Sequence, residues 1–432
     1  MSSDRLLDRL AALPPERRRA LLASVQGGER TFPLSKAQER LWFLHRYDPA
    51  DSAYNIVWTM RLRGALDVSA LAAALTSVVR RHEVLRTRYR MVGERAAQLV
   101  DAPAPVEVER DGELEEFATR PFDLARRGPL RAAVIRTGPR EWLFCLVVHH
   151  IALDGWSLDT LIGEIAEAYA GRSLEVAETQ YRHFVEWERS QDVSAAVARR
   201  AEALAGAPPL DLPGTRPARW SGRGGRVRVT VPDEITTRLE GVAKANRATL
   251  FMALLAAFET MVFRVSGATD FCVGVPVAGP GRVAFPSLVG CLANTMALRA
   301  DLSGEPGFAD LLRRTRVATL GALQHAAAPY EEVLAAVRPP RDPSRPPLCQ
   351  VMFNLTHNLP KQRLLSASMG DLEAEVLDPP PPRRAKADLS VELWRGPEGL
   401  GGWLEYNADL LDAAAAERLA ALYASIVTEE TR

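Results

Sequence analysis

The run His149-His150-Ile151-Ala152-Leu153-Asp154-Gly155 stands between an apolar stretch, Trp142 to Val148, and a helical pattern. Trp142–Val148 is hydrophobic almost throughout, as a buried strand would be. After the loop, Leu158, Leu161, Ile162, Ile165 and Tyr169 recur at helical spacing, and Gly171 ends the pattern. The two histidines therefore sit at a strand-to-helix turn. Neutral imidazole titrates near working pH, so it can accept a proton from an attacking amine or hydroxyl, or orient that group by a hydrogen bond. Asp154 could hold the turn by pairing with an arginine elsewhere. Gly155 leaves room for a substrate to approach the backbone, and the N–H groups that open the helix suit a developing oxyanion. For an isolated pair, two satisfied core histidines ending a buried strand are the alternative. Neighbouring residues on a strand point to opposite faces, and no other His or Cys cluster has ligand spacing, which argues against a metal site.

Working outward, strand Asn55–Arg63, helix Val68–Arg81 and strand Val84–Arg90 follow one another across short turns, and Thr31–Arg46 carries a single apolar stripe at helical spacing. That alternation points to an α/β layer. Residues 4–25 read as a short charged helix, and the composition turns to Pro, Gly and Arg between Ala207 and Gly225. Beyond lie a strand at Arg226–Thr230, a helix from Asp233, a nearly all-apolar helix at Thr249–Val265 and a strand at Asp270–Val275. A last strand, Gly402–Tyr406, leads into a helix at Asp412–Val427. Both halves run strand, helical crossover, strand, with a later strand-to-helix unit, so a duplicated architecture with one active copy is expected. The expected division is a helix and linker at 1–30, a first lobe at 31–190, a connection at 191–225 and a second lobe at 226–432.

A chain of 432 residues suggests two lobes of roughly 200 each. Its 47% hydrophobic and 25% charged residues are ordinary for a folded soluble protein. Lys plus Arg equals Asp plus Glu at 54 each, so no bulk field favours nucleic acid or an anionic membrane. The four cysteines, Cys145, Cys272, Cys291 and Cys349, lie far apart and read as buried free thiols. The charged N-terminus lacks the pattern of a secretory signal, and the apolar run Leu250–Phe258 is far too short to span a bilayer, so a cytoplasmic protein is expected.

His149 to Gly155 resembles the HHxxxDG signature of the condensation domains of nonribosomal peptide synthetases, and Trp156-Ser157 resembles the amide-forming branch. Pro33-Leu34-Ser35, Ala37-Gln38 and Arg40-Leu41-Trp42-Phe43-Leu44 resemble the family's first motif, and Arg81 to Thr87 its second. Tyr181 to Trp187 resembles the fourth, Gly274 to Thr295 the fifth, and His325 to Glu331 with Arg341 to Phe353 the last two. The resemblance runs in order from about Thr31 to the C-terminus.

It implies two chloramphenicol-acetyltransferase-like α/β lobes in a V-shaped pseudo-dimer, with the active site in a tunnel entered from two sides by the phosphopantetheine arms of donor and acceptor carrier proteins. It also implies a monomer with no cofactor of its own, joining a carrier-bound acyl or peptidyl thioester to an amine. By position, His150 positions the nucleophile and moves its proton, His149 and Asp154 hold the loop, and Gly155 borders the reacting carbonyl. Trp156, Ser157, Asn294 and Cys291 line the tunnel, although a turn-stabilising amide is an equal reading of Asn294. Arg86 is expected as a structural ion-pair partner.

Two departures follow from the same comparison. His183 stands where the fourth motif usually has Asp, and Pro280 stands where the fifth commonly has the Arg that pairs with the motif Asp, so Asp154 is expected to pair with Arg282, two positions on, or to find another donor. Cys291 and Ala293 replace bulkier residues and would widen the tunnel wall. Three arginine-rich, proline-punctuated segments, Arg216–Arg226, Arg338–Arg345 and Arg383-Arg384, suit a pantetheine phosphate or an acidic carrier, or simply a solvated loop surface. Neither a carrier-type serine motif nor an adenylating glycine loop is found, so activated substrate arrives from outside the chain. Ester formation with a hydroxyl acceptor and a non-catalytic carrier-binding platform are the alternatives.

Overall fold

The structure, a computed structural model, describes residues 30–356, 369 and 371–431. The segment read as a helix and linker lies outside the described residues up to 29. In the first half, strands β1 (Arg30–Pro33), β2 (Asn55–Arg63), β3 (Thr87–Val92), β4 (Arg95–Val100), β5 (Val108–Glu109), β6 (Leu130–Gly138) and β7 (Glu141–His149) occur in that order. The second half supplies β8 (Gly224–Pro232), β9 (Asp270–Ala278), β10 (Ala293–Asp301), β11 (Val351–Thr356), β12 (Glu373–Leu377), β13 (Leu389–Gly396) and β14 (Gly399–Asn407).

The larger sheets are five strands in the order β12-β2-β7-β6-β5 and six in the order β10-β9-β11-β13-β14-β8; β1-β4-β3 form a small third sheet. β7 reads as a continuous apolar run because it is central. It pairs antiparallel with β2 from Glu141↔Arg63 to His149↔Asn55 and with β6 on its other side. Helices Val68–Arg81 and Gly155–Tyr169 pack on each other, burying Leu71, Leu75, Val78, Leu161, Ile162 and Ile165 in one core with the first sheet. The Asp67 carboxylate caps the first of these helices by accepting from the Ser69 and Ala70 amides at 2.8 and 3.0 Å.

In the second half the helix Leu250–Ser266 is apolar on nearly every side because it is enclosed by helices Asp233–Ala245, Phe308–Leu323 and Ala413–Glu429. Its interior carboxyl, Glu259, accepts from Thr315 Oγ1 at 2.5 Å, and burial pushes it up to about 8. No single helix among the described residues is long and apolar enough to cross a membrane.

The halves are interleaved. β12 leaves the second half and extends the first sheet beyond β2, while Leu288, Val289, Cys291 and Leu292 belong to the first core. The connection 191–225 contains the helix Ser194–Leu204, packed against the helix Tyr330–Val337.

Two expected starts fall on a different element. The helix expected from Thr31 begins at Lys36. Residues 30–33 pair with β4, and Ser35 caps the helix through a reciprocal bond pair with Gln38, at 3.2 and 3.1 Å. The strand expected from Val84 begins at Thr87, because Glu83–Arg86 form a 3₁₀ turn whose Glu83 carbonyl accepts from Thr87 Oγ1 at 2.7 Å.

Candidate functional site

The histidine loop is fixed at both ends by backbone pairing. The His149 amide donates to Pro129 O and the His150 amide to Tyr54 O, each at 2.8 Å. From below, the buried Gln38 amide donates to Ile151 O at 3.1 Å and to the Tyr89 hydroxyl at 3.2 Å.

The two imidazoles have different surroundings. His149 accepts from the Ile151 amide through Nδ1 at 3.1 Å and packs among the rings of His45, Tyr54 and Phe122. Burial, followed by repulsion from His45 and His150, holds it neutral. The His150 Nδ1 lies 3.7 Å from Cys291 Sγ. Burial is the main cause that lowers His150 to about 4, with the cations Lys386 and Arg40 acting in the same direction and Asp154 opposing. At neutral pH it is an uncharged base with a lone pair to offer. Burial pushes the Cys291 thiol far up, so it packs as a neutral group and is no nucleophile.

Asp154 is 1% exposed and organises the neighbouring backbone. It caps the helix Gly155–Tyr169 by accepting from the Ser157 amide at 2.7 Å, and its other oxygen accepts from the Leu292 and Ala293 amides at 2.9 and 3.0 Å. Arg282 Nη2 reaches both carboxylate oxygens, at 3.0 and 3.2 Å, and also donates to Ser157 Oγ at 2.8 Å. Arg282 thus occupies the position of partner from two residues beyond Pro280. Ser157 Oγ donates to Gly290 O at 2.9 Å and accepts from Gly290 N at 3.1 Å, which makes it a clasp rather than a cavity wall.

The 290–293 segment is held from the other side by Tyr181, whose hydroxyl donates to Cys291 O at 2.8 Å and lies 2.9 Å from Ser35 Oγ. Its ring leaves no space at residue 290: a Cβ built there would lie 2.1 Å from Tyr181 Cδ2. Gly290→Ala should therefore cost about 2 kcal/mol of stability through forced repacking, measurable by urea unfolding, whereas Gly163→Ala should cost nothing. No heavy atom lies within 4 Å of a Cβ at Gly163.

Gly155 opens the helix with the same free space around its Cβ position, and the first N–H groups of a helix have no partner within it. Trp156 is 44% exposed. Asn294 lines a cavity, yet its amide is fully used. It donates to Ala326 O and Ala328 O at 3.3 and 2.8 Å and accepts from the Thr295 and Tyr330 amides at 2.8 and 3.1 Å. Arg86 stands apart from the site, its guanidinium bonded to the carbonyls of Val79, Arg80 and Asp101. His183 Nδ1 accepts from the Gln180 amide at 3.2 Å as part of a helix cap.

Two cavities flank this assembly. One, of about 460 Å³, is lined by Cys291, Asn294, Phe184, Trp187, Lys36 and Glu331 among others. The second, of about 300 Å³, lies beside Asn55, Leu158, Lys386, Trp394, Trp403 and Glu405. Among the described residues no group of three or more His, Cys, Asp or Glu side chains is placed to hold a metal ion. Arg40, ion-paired with Glu331 at 2.8 Å, and Lys386 were not anticipated as neighbours of His150. Arg40 lies inside a recognised motif, but Lys386 follows a proline run with no pattern to mark it.

A family model described as Condensation domain matches residues 28–429. The chain is 37% identical over 432 residues to one of the linear gramicidin synthase proteins of Brevibacillus parabrevis, in a match that covers 91% of this chain and 5% of that protein. It thus spans about a twentieth of this curated relative. Among solved structures it is similar to the X-domain from teicoplanin biosynthesis, at 27% identity and a TM-score of 0.81, covering 93% of this chain and 96% of that one. It is also similar to that X-domain in complex with OxyB, at 27% identity and a TM-score of 0.80, covering 93% of each chain.

Proposed function

Because the chain belongs to the condensation-domain family, we propose that it joins a carrier-bound acyl or peptidyl thioester to an amine acceptor, forming an amide. The observation that carries this reading is a half-buried, uncharged His150 imidazole that touches Cys291 in the wall of the larger cavity. The acceptor nitrogen attacks the acyl carbon, a C–N bond forms and an electron pair moves onto the acyl oxygen. That pair returns as the C–S bond breaks, and the proton leaving nitrogen ends on the departing thiol. His150 orients the amine through its lone pair and accepts its proton transiently. The Gly155 and Trp156 amides are the donors available to the oxyanion. His149 and Asp154 keep the loop in place. The substrates ride on phosphopantetheine arms, in a V-shaped two-lobed domain whose tunnel would join the two cavities around His150. We place the enzyme in the cytoplasm with its carrier proteins.

The test is intact-mass detection of product passed between a loaded donor carrier and a loaded acceptor carrier. A second reading, a platform that recruits another enzyme to a carrier, draws on the likeness to the X-domain held in complex with OxyB. Binding of a loaded carrier without any product would favour it.

The carrier needs a docking face, and the three arginine-rich segments supply one by meeting at the C-terminal end of the helix Lys36–Tyr47. Arg384 pairs with Asp48 at 3.0 Å, Arg219 lies over the Tyr47 ring at 5.3 Å, and the Trp220 amide donates to Pro343 O at 2.8 Å. Phe43 and Tyr47 stack there while 66% and 62% exposed, and Arg46 and Arg219 have no carboxylate partner among the described residues. An exposed aromatic pair beside two cations that lack a carboxylate partner suits an acidic carrier surface. Phe43→Ala with Arg219→Ala should raise KM for a carrier-borne substrate about tenfold. Turnover of a free pantetheine thioester should stay unchanged, and equal losses with both substrates would remove this face from the reading.

A further inference from the structure

The larger cavity is unevenly charged. Its wall carries four carboxyl groups, Glu188, Asp192, Glu331 and Glu332, against two cations, Lys36 and Arg189. Most of these have charged or hydroxyl partners. Lys36 Nζ pairs with Glu332 at 3.0 Å, Glu331 with Arg40 at 2.8 Å, and Arg189 with Glu39 at 3.0 Å. Asp192 accepts from the Ser194 amide and hydroxyl, at 3.0 and 2.6 Å. Glu188 makes no ion pair among the described residues. One of its oxygens accepts from the Lys36 amide at 2.9 Å, and the other has no partner among them.

Its surroundings are those of a cation site. Phe184, Trp187 and Glu188 stand at i, i+3 and i+4 of the helix Tyr181–Ser190, so two rings and a carboxyl share one face, and all three line the cavity. Aromatic faces and carboxylates are the groups that take an ammonium or guanidinium out of water. Cys291 belongs to the same wall and lies 3.7 Å from His150 Nδ1, which ties the cavity to the histidine loop. Burial pushes the Glu188 carboxyl up to about 7, with Glu331 and Glu39 adding to the effect and the Lys36 amide and ammonium opposing it. A cation bound beside Glu188 would draw it back down.

We propose that the larger cavity selects a substrate bearing a second, non-reacting cationic group, and that Glu188 is the residue that receives it. The inference rests on the acyl-transfer reading. The reacting amine is neutral when it attacks, so the cation recognised here is a separate ammonium or guanidinium, on the side chain of the acceptor or of the acyl donor. A neutral side chain of the same length leaves the carboxyl without a partner and loses the contact.

The test loads carriers in matched pairs, once in the acceptor position and once in the donor position, with a side chain ending in an ammonium or in its methyl isostere. The native domain should favour the ammonium about tenfold in kcat/KM in one of the two positions, and that position identifies the source. Glu188→Gln, which keeps an acceptor for the Lys36 amide, should bring that ratio to about one, and Glu188→Asp should retain part of it. No preference in the native domain overturns the proposal. So does a Glu188→Gln variant with the ratio unchanged, which would mark a structural role. Calorimetry with pantetheine amides of the same side chains separates the two readings: tighter binding of the cationic amide, with no product from any loaded carrier, would remove acyl transfer and keep the cation site.

Discussion

His150→Ala is expected to lower product formation by about 10²–10⁴-fold while leaving carrier affinity in place. The magnitude is that of removing one positioned proton acceptor. Affinity should persist because the exposed aromatics and arginines proposed to meet the carrier lie at the far end of the helix Lys36–Tyr47. Folding should persist too, since the side-chain partner of the His150 ring among the described residues is the Cys291 thiol at 3.7 Å, and the His150 amide keeps its bond to Tyr54 O. The pH dependence gives a second signature. With His150 lowered to about 4, the imidazole is already a free base at pH 6, so no acid limb near 6.5 should appear in kcat/KM from this group. The sign for stability follows. The unfolded chain binds the His150 proton below about 6.5 and the folded one only below about 4, so this residue costs the fold stability as pH falls through that window. His150→Ala should therefore unfold less readily in acid than the native chain. Full product formation in the variant would end the assignment of His150 as the central base.

Arg282→Ala is expected to cost about 3–5 kcal/mol of stability and to take activity down with it. The arginine and Asp154 are 13% and 1% exposed in their side chains, so removing one partner leaves a buried charge rather than a solvated one. Arg282 also holds Leu288 O at 2.9 Å and Ser157 Oγ at 2.8 Å, so its loss loosens the segment that carries Cys291 to the His150 ring. Asp154→Asn in the same chain should recover part of the stability, because the unpaired charge is gone while the cap on the Ser157 amide survives. Chemical unfolding of the two single variants and the double measures this coupling directly. Strict additivity would mean that the pair contributes geometry alone.

The turn that carries the histidines was legible because its two flanks have different periods, a continuous apolar run and then a helical one, and β7 and the helix Gly155–Tyr169 begin and end within a residue or so of that pattern. Residues 84–86 misled because an apolar pair next to a strand looks like part of it; the 3₁₀ turn is decided by the Thr87 hydroxyl and by the carbonyls that Arg86 gathers. Within the site, Arg282 was legible as one candidate partner of Asp154 through the family resemblance, because Pro280 takes the place of the usual arginine two positions before it. The full engagement of Asn294 was not, because three of its four partners lie 32 to 36 residues away along the chain.

The departure of β12 from its own half bears on how such domains are cut and recombined. Its five residues pair with β2 from Glu373↔Arg63 to Leu377↔Thr59, with Arg61 and Glu375 bridged at 2.8 Å across the ladder. A hybrid made by swapping the chain after residue 225 would import a foreign β12 against a resident β2, so compatible grafts should be chosen by the match between residues 59–63 and 373–377. Producing the halves as separate fragments should leave the β2 edge bare and prone to self-association.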